Sequence, residues 1–102
     1  MYRYTTPTIP ITIEDIDFSE VDNFRVKIKD EKTELLFVVP ADDESVDAEN
    51  NTFYVSLTQQ QTAQLKKGHA WLQVRVVYSG GSVQATPKAV ISVNDVLDEV
   101  IV

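Results

Sequence analysis

At 102 residues the chain has the length of one domain and is too short to divide into two cores. Apolar residues make 43% and charged residues 25%, the proportions of a folded domain, which excludes wholesale disorder. Sixteen acids against nine bases give a net charge of −7, a field that repels nucleic acid. Cysteine is absent and there is one histidine, which excludes disulfides, thiolate metal sites, a cysteine nucleophile and a histidine pair on a metal.

The opening residues lack the continuous apolar stretch of an export signal. The longest apolar run, Leu35 to Val39, is five residues, far short of the ~20 that a membrane helix needs. The expectation is a soluble protein made in the cytosol, with no membrane partner.

Along the chain the dominant period is two. Ile9, Ile11 and Ile13 alternate with Thr8, Pro10 and Thr12, and Phe24, Val26 and Ile28 alternate with Arg25, Lys27 and Lys29. Both read as half-buried strands with a solvent face. Leu35 to Val39 is continuously apolar, reads as a more central strand, and is stopped by Pro40. The acidic run 42–49 separates strands and reads as a solvated loop or a short seventh strand. Phe53, Val55 and Leu57 form the next alternating set.

Thr58-Gln59-Gln60-Gln61 is a capping-box pattern, in which a threonine hydroxyl and a glutamine three residues on satisfy each other's amides. With Lys66 and Lys67 near its end and Gly68 as a stop, it predicts a short helix at about 59–66. Ala70, Leu72, Val74, Val76 and Tyr78 then alternate with His69, Trp71, Gln73, Arg75 and Val77. Gly80-Gly81 predicts a hairpin turn into a last long strand from Val83 to Val93, with an edge position or bulge at Pro87. From Asn94 on, Val96, Leu97, Val100 and Ile101 fall at helical spacing and predict a short C-terminal amphipathic helix, a terminal strand being the alternative.

Six main strands joined by short turns, with no helix long enough for a parallel crossover, point to an all-β, two-sheet antiparallel sandwich. A small barrel is the nearest rival.

Catalysis finds little support in these residues. His69 is the only imidazole able to activate a hydroxyl nucleophile, and it reads as an exposed residue at a strand start. Asp42, Asp43, Glu44, Asp47 and Glu49 offer oxygen ligands for calcium, but no glycine stands among them for the sharp turn of a helix–loop–helix calcium loop. Two features suit contact better. Trp71 falls on the outward register of its strand, as an interface anchor or as a cover for the sheet edge or the C-terminal segment. Val96, Leu97, Val100 and Ile101 need burial, either back on the sandwich or on a neighbouring subunit. The expectation is therefore a protein that is not an enzyme and needs no cofactor or metal. A small carbohydrate- or calcium-binding sandwich is the alternative.

Several stretches carry a resemblance: Tyr2-Arg3-Tyr4-Thr5-Thr6-Pro7-Thr8, Val55-Ser56-Leu57-Thr58-Gln59-Gln60-Gln61-Thr62, Lys67-Gly68-His69-Ala70, Leu72-Gln73-Val74-Arg75, and Val96-Leu97-Asp98-Glu99-Val100-Ile101. In this order the chain resembles the small proteins encoded in tail or baseplate gene modules of phages and prophages of Gram-positive bacteria. More distantly it is similar to the immunoglobulin-like N-terminal domain of phage baseplate upper proteins, which attaches to the tail. The resemblance implies an immunoglobulin-like sandwich and a non-catalytic tail component. Its partners would be phage tail or baseplate proteins or further copies of itself. It would reside in the bacterial host cytoplasm during assembly and then in the virion tail. This sequence shows no helical or receptor-binding extension, which narrows the implied role to a small adaptor, decoration or accessory protein.

Overall fold

In the computed structural model, which describes residues 1–102, the chain is a two-sheet antiparallel sandwich. Its strands are β1 (Thr8–Thr12), β2 (Val21–Lys29), β3 (Glu34–Pro40), β4 (Val46–Asp47), β5 (Thr52–Ser56), β6 (Gly68–Tyr78), β7 (Val83–Ala85) and β8 (Ala89–Val93). One sheet has the order β1-β5-β4; the other has the order β3-β2-β6, with β7 and β8 pairing along the far edge of β6. An immunoglobulin-like sandwich places strands B, E and D in one sheet and C′, C, F and G in the other. Here β1, β5 and β4 take the first set of places, and β3, β2, β6 and the split β7/β8 take the second. No helix is long and apolar enough to cross a membrane.

The alternating residues meet between the sheets in one cluster of seventeen buried apolar side chains. Phe24 of β2 and Phe53 of β5 are fully buried and stack across the two sheets, with ring centroids 4.3 Å apart. Such a pair contributes about 1 kcal/mol beyond the area it buries. Phe18, on a 3-10 turn at Phe18–Glu20 that periodicity does not reveal, packs 4.9 Å from Phe24.

The helix α1 (Gln59–Gln64) bridges the two sheets between β5 and β6. Its capping box is complete: the Thr58 hydroxyl accepts from the Gln61 amide, and the Gln61 side chain accepts from the Thr58 amide. Gly81 turns the β6–β7 hairpin at a φ of +96°, a conformation a side chain would strain.

Three expectations need correction. First, Glu34–Pro40 is not central: β3 pairs only with β2, and Leu36 and Val38 project outward, about half exposed. Its apolar run reflects a part-exposed edge, not burial on both faces. Second, the strand 83–93 breaks at 86–88 into β7 and β8. Pro87 has no amide hydrogen to continue the ladder, and the Thr86 hydroxyl there accepts the Val74 amide at 3.1 Å.

Third, no helix forms after Asn94. The Asn94 backbone is engaged in a parallel bridge with Tyr2, donating to Met1 O at 2.8 Å and accepting from Arg3 N at 2.9 Å. The segment then runs without regular secondary structure alongside α1. The Gln59 side chain grips its last residue, donating to Val102 O at 2.7 Å and accepting from Val102 N at 2.8 Å.

Candidate interaction surface

Alternation in β2 sends Phe24, Val26 and Ile28 inward and Arg25, Lys27 and Lys29 outward. In β6 it sends Trp71, Gln73 and Arg75 to the same outer face. Antiparallel register then aligns them in rows. Lys29 lies between Glu34 and Trp71, Lys27 between Leu36 and Gln73, and Arg25 between Val38 and Arg75. Trp71 is further flanked by Val90 of β8. The outer face of the five-stranded sheet is thus cationic, with Trp71, Val90, Leu36 and Val38 as its exposed apolar parts.

The carboxylates on this face are already engaged. Glu34 is 3.2 Å from Lys29 and 3.5 Å from Lys27, and the hydrogen bond from Lys29 holds its carboxyl below the usual carboxylate range. Glu31 pairs with Lys66 at 3.4 Å. Asp30, at the mouth of the β2–β3 turn, is nearly buried. Burial opposes its charge, but amides of Lys66, Lys32 and Thr33 donate to it and draw its pKa down overall. Beside Trp71 a groove of about 540 Å³ opens between Lys29, Lys67 and Lys88. Its wall offers positive charge and one aromatic face, a setting for an anionic group next to an apolar one. No three acidic or imidazole side chains converge on a metal-sized site.

The second predicted contact lies elsewhere. Val96 is half-buried, whereas Leu97, Val100 and Ile101 are exposed along the irregular segment beside α1. Arg3 organises this end. Its guanidinium donates to Leu65 O and Ala63 O, each at 2.7 Å, and to Asp95 at 3.0 Å, with Glu99 at 3.7 Å. The Asp95 hydrogen bond is the main cause of its raised pKa. The structure does not bring Trp71 and the segment together, because residues 94–102 lead to α1. Two other aromatics are exposed: Tyr54 sits on β5 of the opposite sheet, and Tyr2 lies just past the end of β8, bridged to Asn94.

At the opposite end of the molecule four loops meet. Ile13 N donates to Asn51 O, Ala41 N to Asp22 O and Ser79 N to Glu20 O, at 2.9–3.0 Å. Glu14, Asp15, Asp17, Glu20 and Asp22 cluster there with Asp42, Asp43, Glu44, Asp47 and Glu49, and no lysine or arginine lies in these loops. Asp17 and Asp43 cap their own turns by accepting from Ser19 and Ser45, which lowers their pKa values.

The cationic face was not foreseen. Its signal was present in the Arg25, Lys27 and Lys29 alternation, but the convergence with Trp71 and Arg75 depends on which strands pair and in what register. Comparison with known proteins adds no relative: no protein-family model, curated protein or solved structure matches this chain.

Proposed function

We propose that the protein is a non-catalytic structural or adaptor component of a phage or prophage tail, at or near the baseplate, that acts by protein–protein contact. The observation that carries the contact reading is Trp71, half-exposed on a sheet face framed by arginine, lysine, leucine and valine. Tryptophan and arginine at the centre of a flat face are the usual energetic anchors of protein interfaces. The exposed stripe Leu97, Val100 and Ile101, together with Val96, supplies a second apolar surface. The tail assignment is supported by the sequence resemblance. Three of its motifs meet around α1, where Arg3 of the first motif holds the end of the helix and Asp95, just before the last motif, and lies 3.7 Å from Glu99 within it.

On this reading the chain is made in the bacterial host cytoplasm and ends in the virion tail. The test is mass spectrometry of purified tail particles from the strain that carries the gene. The chain is expected in fixed proportion to the other tail proteins, and its gene beside tape-measure or baseplate genes. Particles that lack it, from a strain that expresses it, contradict the proposal.

A further inference from the structure

Arg25 and Arg75 stand directly opposite each other on neighbouring strands. Like charges so placed repel and weaken a sheet. The residues flanking the pair in the same row are Val38 and Ala85, not carboxylates. None of the chain's five ion pairs includes either guanidinium. The fold therefore carries an uncompensated repulsion in the middle of an exposed face, and a carboxylate from outside would relieve it.

The surroundings narrow the source of that carboxylate. Leu36, Val38, Trp71 and Val90 are each about half exposed on the same face. Apolar groups beside arginine suit a protein surface better than a phosphate backbone.

Size argues against a second copy as the occupant. β6 is eleven residues long and the face is four strands wide, about 36 by 19 Å, close to the about 800 Å² per partner of a standard interface. The chain's own acidic residues lie on short loops at one end of the strands, a smaller surface than that face.

We infer that the outer face of the five-stranded sheet docks an acidic surface of a different protein, with carboxylates seated at Arg25 and Arg75 and an apolar side chain against Trp71. This deepens the proposed function and rests on its premise that the protein works by contact. The acidic end of the molecule does not prevent docking, because charges farther away than about 8 Å are largely screened at physiological salt.

Trp71 is the only tryptophan, so its fluorescence reports on this face alone. The probes are a synthetic peptide alternating acidic residues with leucine, its lysine-for-acid counterpart, and a short DNA duplex. The acidic peptide is expected to shift Trp71 emission to the blue, and the lysine peptide to leave it unchanged. Affinity is expected to fall about tenfold or more in R25Q/R75Q, and again when salt is raised from about 0.05 to about 0.5 M. The same variant is expected to melt at or above the wild-type temperature, since the repulsion is gone. No response to the acidic peptide, undiminished binding by R25Q/R75Q, a stronger response to DNA, or self-association of the free chain at low salt would each overturn the inference. Tail membership is read separately from purified particles. Presence there with no peptide response defeats this face alone, and absence there with a peptide response defeats the tail assignment alone.

Discussion

The Asp30 carboxylate accepts three backbone amides, from Lys32 at 2.9 Å and from Thr33 and Lys66 at 2.7 Å each. One residue thereby closes the β2–β3 turn and ties it to the chain leaving α1. Replacing it with alanine leaves three donors without their acceptor in a nearly buried place. D30A is expected to lower the unfolding free energy by about 3 kcal/mol at neutral pH, measured by urea denaturation. Because the folded pKa lies below the unfolded value of about 3.9, the contribution is fully present above that pH. It disappears as pH falls through the folded pKa, so the gap between wild type and D30A is expected to narrow in acid. A gap that stays constant or widens there would mean that the charge is not what the site holds.

Among the elements, β2 and β6 were the most legible, because each alternates cleanly over its length and pairs along it. The helix α1 was legible from its capping box, although it stops two residues short of the expected 66. The status of β3 was not legible. An apolar run of five looks the same whether a strand is central or at an edge, and only pairing distinguishes them. The segment after Asn94 misled because its spacing suits a helix, yet valine and isoleucine are weak helix formers and so few residues rarely nucleate one. Asn94 is also spent on Tyr2, and the tethers from Arg3 and Gln59 fix the segment at both ends against α1. These tethers are solvent-exposed or partly so, and most side chains of the segment bury little. Truncation after Asn94 is therefore expected to cost about 1 kcal/mol or less, measured by chemical denaturation. A loss of several kcal/mol would show that the stripe belongs to the core.

At the scale of the molecule, charge is segregated along its length. Ten of the sixteen acids crowd one end without a base among them, while the cations gather on the sheet face and the opposite end. Composition gave only the sum, −7, which hides both poles; the poles emerge once the loops and strands are placed. Repulsion within the acidic end is expected to make the melting temperature rise by a few degrees as salt increases from about 0.05 to about 0.5 M. A fall over that range would mean that attractions, not repulsions, dominate the surface electrostatics.

The sandwich presents one cationic, tryptophan-bearing face. On the proposed tail assignment, hydroxyl-radical footprinting of the free chain against the chain in purified tail particles tests docking through this face most directly. Trp71 is expected to become several-fold less reactive on assembly, while Tyr54 on the opposite sheet keeps its reactivity. Protection of Tyr54 with Trp71 unchanged would contradict the account.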